Sequence, residues 1–304
     1  MPPRPSVPLD VFRLQVLRRD TATNSFNSSF EYWLPTLEQT LTDDPTAEGV
    51  WQVGERLRDA FRSRPAGRSQ SDLSVSGTAF EGLLSWYLNL MLWGTNIVAA
   101  RNNQQSVPES IRHSTTVMMG TTKSNTETDL VLFSVPTASE SSCEPLTGVE
   151  RVDQLLSRNI KQASVVVLQA KTNWRDNAQI PMLWDWIYDV KEFQHKNIAI
   201  GVNGFSPRSF SRFAYAFATM PTAPTGIEDG KPSALHVKRV QQLSGHNYWC
   251  ARSKPGVALC INELPGMNFG AEIADTHGGH HKQHIDDMLR SRPDLLRAFL
   301  DRDF

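Results

Sequence analysis

Thr128-Asp129-Leu130-Val131-Leu132-Phe133 and Val165-Val166-Val167-Leu168-Gln169-Ala170-Lys171 are the two stretches on which the reading of this chain turns. Each is a short apolar run rich in β-branched residues, the mark of a buried strand. Polar side chains stand at one end of each: Asp129 opens the first, and Gln169 and Lys171 close the second. Side chains alternate across a strand, so Gln169 and Lys171 project from the same face. If the two strands are neighbours, a carboxylate, an amide oxygen and an ammonium converge on one spot. Those groups can hold a divalent metal and an attacking water beside a phosphate.

Outward from these strands the pattern alternates between helix and strand. Residues 1–20 read as a loosely ordered arm, residues 27–61 as short helices, and residues 62–76 as a polar basic connector. A long helix is predicted from 78 to 101 and a strand near 115–119. The core strands cover 129–135 and 164–170, with a short helix over 152–160 between them. Met182, Leu183, Trp186, Ile187 and Val190 share a helical face over 180–193, and residues 197–202 have β character. The stretch 210–220 fits helix or strand equally, 221–231 is a loop, and 234–243 and 248–261 look strand-like. A helix over 293–300 follows. This order implies an α/β fold with one mixed central sheet flanked by helices. Three regions are expected, 1–76, 77–203 and 204–304, within one compact domain.

Composition sets wide bounds. With 304 residues, 39% hydrophobic and 21% charged, the chain fits an ordinary globular protein. A formal charge of -1 does not mark a nucleic-acid binder, yet binding needs only a local basic surface. Cys143, Cys250 and Cys260 show no CxxC spacing and cannot all pair, which favours a reducing, cytoplasmic setting. Met1-Pro2-Pro3-Arg4-Pro5 lacks the apolar run of a secretory signal. Residues 82–100 approach membrane length, but Ser85, Asn89, Gly94, Thr95 and Asn96 break the run, so a buried core helix is expected and no membrane partner.

The order of elements resembles the PD-(D/E)xK nuclease superfamily, which includes most type II restriction endonucleases. There, a helix carrying an acid precedes a strand bearing Asp, a second strand carries (Glu or Gln)-x-Lys, and a helix then packs on the sheet. The matching residues are Glu81 in Gly77-Thr78-Ala79-Phe80-Glu81, Asp129, and Gln169-Ala170-Lys171. The resemblance covers residues 77–203 and implies a restriction-endonuclease-like core. Two positions depart from the pattern: Thr128 stands where a Pro is common, and Gln169 replaces the usual acid. The Gln-x-Lys form is similar to that of some type IV, methylation-dependent nucleases and some type II enzymes. One carboxylate fewer weakens a hard-cation site, and Glu81 could restore the charge.

The resemblance implies Mg²⁺ held by Asp129, the Gln169 side-chain oxygen, the Ala170 backbone carbonyl and Glu81, with Lys171 orienting the attacking water. It also implies double-stranded DNA as substrate, a two-fold homodimer matched to a palindromic site, no nucleotide cofactor, and a bacterial or archaeal source. Asn173, Arg175, Asn177 and Gln179, directly after the catalytic strand, have the reach for phosphates or base edges. The same run also fits a helix N-terminal cap. Arg208, Arg212, Lys238, Arg239, Asn247 and Arg252 form a second set of DNA-binding candidates, with Tyr248 and Trp249 interleaved. A solvated basic face would have the same composition.

His277-Gly278-Gly279-His280-His281-Lys282-Gln283-His284 holds half of the eight histidines. It matches no zinc-module spacing, and a polar loop or helix start is the simpler reading. Three functions stay open from the residues: a type II restriction endonuclease, a type IV or repair nuclease, and a DNA-binding module with a decayed site.

Overall fold

The computed structural model describes residues 7–63, 70–124, 128–136, 145–172, 198–220, 231–239, 241, 246–277 and 281–304. The two apolar strands, β4 (Leu130–Ser134) and β5 (Ser164–Lys171), are antiparallel neighbours, with Leu130 opposite Leu168 and Phe133 opposite Val165. Strand β1 (Ile97–Arg101) lies antiparallel on the other side of β4, with Arg101 opposite Leu130. Beyond β5 come β7 (Arg212–Thr219), β8 (His246–Trp249) and β9 (Leu259–Cys260), all parallel to β5. The result is a six-stranded mixed sheet of order β1-β4-β5-β7-β8-β9. A smaller sheet joins β3 (Thr122–Ser124), β2 (Val117–Met119) and β6 (Ile198–Ile200).

Strand alternation divides the core in two. Leu130, Leu132, Val166, Leu168, Ala216 and Ala218 point to one face and Val131, Phe133 and Val165 to the other. The first face is covered by α2 (Asn24–Asp43), α3 (Ala47–Ser63) and α4 (Gln70–Met91), with α8 (Leu264–His277), α9 (His281–Ser291) and α10 (Leu295–Asp301). The second face is covered by α5 (Glu109–Thr115) and α6 (Val149–Arg158). Helix α1 (Pro8–Thr21) serves both, with Leu14 and Leu17 on one side and Leu9, Phe12 and Val16 on the other. Each fully buried Leu, Val or Phe contributes on the order of 1.5–3 kcal/mol. Such burial holds these layers together. Strands from residues 77–203 and 204–304 share the main sheet, and helices from 1–76 pack on it.

Several local expectations change. The N-terminal arm is helix α1, started by Pro8 at its first position, where a missing N–H costs nothing. The Asp10 side chain accepts the Val7 N–H at 3.1 Å, and Arg13 then pairs with Asp10 inside the core. The helix expected to run to 101 ends at Met91. Gly94 takes a positive φ of 78° and the Thr95 hydroxyl bonds Leu92 O, which turns the chain into β1. The region expected as strand from 234 holds helix α7 (Leu235–Arg239), of which Val237 alone is buried among the described side chains. The stretch 210–220 holds strand β7, and 248–261 splits into β8 and β9 around Gly256 at φ 77°. The predicted helix over 180–193 and the loop at 221–230 lie outside the described residues. Among the described residues no helix is long and apolar enough to cross a membrane.

Chain ends far apart in sequence interlock. Trp86 donates its indole N–H to Phe299 O at 3.0 Å, across 213 residues. Ala47 N–H donates to Asp286 Oδ1 at 2.9 Å. His281 and His284, on the first turn of α9, donate Nε2–H to Met91 O (2.9 Å) and Trp93 O (2.8 Å). These two histidines fasten α9 to the end of α4.

Candidate active site

Asp129 immediately precedes β4 and lies beside the end of β5. Its Oδ2 accepts the Ala170 N–H at 2.7 Å, so the carboxylate takes the place of the next carbonyl in the ladder. Leu130 faces Leu168, so alternation puts Asp129 on the face shared by Gln169 and Lys171. Within a strand a residue's N–H and C=O leave on the same edge, which turns the Ala170 carbonyl toward Asp129. Asn102 secures the approach: its N–H donates to Asp129 O at 3.0 Å and its Nδ2 to Thr128 O at 3.3 Å. The three groups read from sequence are thus neighbours on one face at one end of the sheet.

Gln169 is wholly buried, and its Oε1 accepts a hydrogen bond from the Tyr215 hydroxyl. Tyr215 lies opposite Val167 on β7, which gives it the same face. A buried amide oxygen left unbonded would cost about 1–3 kcal/mol, and Tyr215 removes that cost. Lys171 is half-buried, where β5 meets solvent.

Glu81 is committed elsewhere. Its Oε2 accepts both Nε (3.0 Å) and Nη2 (2.8 Å) of Arg101. Arg101 shares the Leu130 face, so this ion pair lies on the α4 side of the sheet. Beside it, Asp20 is buried, its Oδ2 accepting from Ser85 Oγ (2.6 Å) and Arg101 N–H (2.9 Å). Burial pushes the Asp20 carboxyl up to about 6, against the hydrogen bonds from Ser85 and Arg101. Sequence reading missed Asp20, Arg101 and Asn102. The one available signal was the Asn102-Asn103 pair after an apolar run, a turn marker.

Asp20 gives a pH-dependent prediction. With the folded pKa raised from 3.8 to about 6, the fold favours the protonated acid. That contribution is complete below pH ~4 and is lost as pH rises through ~6, a difference on the order of 3 kcal/mol. Asp20→Asn is therefore expected to stabilise the chain by about 1–3 kcal/mol at pH 7.5. The gain should vanish near pH 4. Urea unfolding of both proteins at the two pH values checks this; a variant less stable at pH 7.5 would contradict it.

The DNA-binding candidates are dispersed. Asn173, Arg175, Asn177 and Gln179 lie outside the described residues. Arg208 is exposed in a short turn before β7, and Arg212 opens that strand. Ser164 faces Arg212 while Lys171 faces Thr219, so Arg212 stands about 23 Å from Lys171, at the opposite end of the sheet. Its guanidinium also donates to Met267 O (3.3 Å), Asn268 O (2.8 Å) and Asn268 Oδ1 (3.3 Å), which fastens α8 to β7. Asn247 is turned inward, its Nδ2 on Val257 O at 3.2 Å. Lys238 is exposed on α7, which also carries Arg239. Arg252 is exposed beyond β8, at the Lys171 end. Register and burial thus place Arg252 at the Lys171 end of the sheet and leave Asn247 only 5% exposed.

Among the described residues no group of three or more His, Cys, Asp or Glu side chains converges on a metal position. Comparison with protein-family models and with curated proteins returns no match for this chain.

Proposed function

We propose that the chain is a Mg²⁺-dependent endonuclease of double-stranded DNA, of the PD-(D/E)xK type in its Gln-x-Lys form, acting as a homodimer. The bond from Ala170 N–H to Asp129 carries this reading. It fixes a carboxylate against the strand end bearing Gln169 and Lys171, on their face. Helix α4 with Glu81, β4 with Asp129 ahead of it, and β5 with Gln169 and Lys171 also follow one another in the order that the resemblance requires.

The donor set fits Mg²⁺, which is commonly held by one or two carboxylates together with substrate phosphates. Asp129 and the Ala170 carbonyl would hold it; when bound it would polarise the phosphoryl oxygen and neutralise developing charge. Lys171 supplies three donors, enough to orient the attacking water and to offset charge growing on the phosphorus oxygens. Asn102 keeps Asp129 from swinging away. Gln169, fixed by Tyr215, holds the end of β5 rigid.

A second reading has its own support. Gln169 Oε1 accepts from Tyr215 and Glu81 is held by Arg101, and both commitments weaken a cation site. They favour a DNA-binding module that no longer cleaves. Supercoiled plasmid, methylated and unmethylated, incubated with the chain with and without Mg²⁺ separates the readings. Mg²⁺-dependent cutting supports the nuclease, and cutting of methylated plasmid alone assigns the type IV class. Retained DNA binding in Ca²⁺ without cutting supports the decayed module. Absence of both binding and cutting overturns both.

A further inference from the structure

A pocket of about 270 Å³ lies between α3 and the segments that follow β8 and β9, with Trp51, Glu55, Arg252, Cys260, Asn262 and Glu263 in its walls. Trp51 and Glu55 stand one helical turn apart on α3, so they share a face. The pairings Lys171 to Thr219, Thr219 to Trp249 and Trp249 to Cys260 put Cys260 three strand spacings, about 14 Å, from Lys171. The pocket is therefore separate from the Asp129 site.

Two of its charged groups are uncommitted among the described residues. Glu55 and Arg252 line the same cavity, yet neither makes a hydrogen bond or ion pair among the described residues. Asn262 is wholly buried: its Nδ2 donates to Trp51 O at 3.0 Å, while its Oδ1 has no partner among the described residues. Glu263 gives one oxygen, Oε2, to Cys260 N–H at 2.7 Å. Burial first, and then the nearby charges of Glu55 and Glu263, push the Cys260 thiol up to about 12, so it stays a neutral S–H.

The inventory is two carboxylates beside an indole, with an exposed guanidinium on the same cavity. The two oxygens of Glu55 and the second oxygen of Glu263 match in number the three donors of a primary ammonium. The Trp51 ring already has Lys282 Nζ 5.9 Å from its centroid, so the cation attraction left for a ligand is secondary. Arg252 suits a carboxylate through two parallel hydrogen bonds, and a bare divalent ion would meet its repulsion with no carboxylate to offset it. We infer that this pocket binds a small zwitterion of the amino-acid class, its ammonium on Glu55 and Glu263 and its carboxylate on Arg252. This site does not depend on the nuclease reading.

Isothermal titration with glycine, β-alanine and γ-aminobutyrate, whose charges stand progressively further apart, tests the site, with n-butylamine, butyrate and Mg²⁺ alone as controls. At least one zwitterion should bind saturably, about tenfold more tightly than n-butylamine, and butyrate should not bind. Glu55→Gln should weaken every ammonium probe at least tenfold. Arg252→Ala should bring the zwitterion down to the level of n-butylamine. Neither residue has a partner among the described residues, so unchanged melting temperatures keep these losses specific. The inference falls if no zwitterion binds, if both variants bind as the parent does, or if Mg²⁺ alone saturates a site that Glu55→Gln removes.

Discussion

Asp129→Ala is expected to reduce Mg²⁺-dependent plasmid cleavage by at least about a thousandfold while DNA binding in Ca²⁺ persists. The carboxylate is the charged member of the proposed donor set, and its loss also frees the Ala170 N–H at the end of the ladder. A purely structural role would behave differently, because loosening the ends of β4 and β5 would lower binding and melting temperature together with cleavage. Lys171→Ala provides the control. It removes an ammonium at a half-buried position, so cleavage should collapse with little change in melting temperature. Cleavage by Asp129→Ala within tenfold of the parent would remove Asp129 from the chemistry.

The second large effect concerns stability. Arg13→Ala is expected to cost about 3–5 kcal/mol, a large share of the roughly 5–15 kcal/mol that holds a domain folded. Arg13 and Asp10 form an ion pair of zero exposure. Arg13 Nη2 donates to Thr95 O and Ile97 O, and Asp10 Oδ1 accepts Gly94 N–H at 3.1 Å. The pair thus pins α1 to the turn that ends α4 and opens β1. Removing the guanidinium strands a buried carboxylate and two carbonyls. Replacing both partners with apolar residues (Asp10→Leu with Arg13→Met) should cost far less, since no charge is then left alone. Urea unfolding distinguishes the cases, and a loss below 1 kcal/mol for Arg13→Ala would show that water reaches the pair.

The strands were legible because burial on both faces leaves an apolar β-branched run, and Val165 to Leu168 has no other good solution. The convergence of Asp129, Gln169 and Lys171 was legible for a related reason: alternation assigns faces without knowledge of the fold. The neighbours of that site were not. Residues 82–100 are mainly apolar on both sides of Gly94-Thr95-Asn96, so hydrophobicity alone does not separate α4 from β1, and Arg101 reads as the end of a helix. Asp20 hides in the segment 1–20, which reads as a loose arm although Pro8 starts a helix there. Composition could not tell which way Arg212 and Asn247 face; register and burial decide it. The short helix α7 defeats pattern reading because five residues, with Val237 the one buried side chain among those described, fit either period.

The clasp between Trp86 and the Phe299 carbonyl spans 213 residues. A ribosome adding roughly 5–20 residues per second needs on the order of 10–40 s to bridge that interval. Through that window the indole and the helix bearing it emerge without their cover, a sticky surface waiting on the later-made part of the chain. Nascent copies should therefore depend on chaperone shielding during synthesis, and slower translation should lengthen their exposure to aggregation.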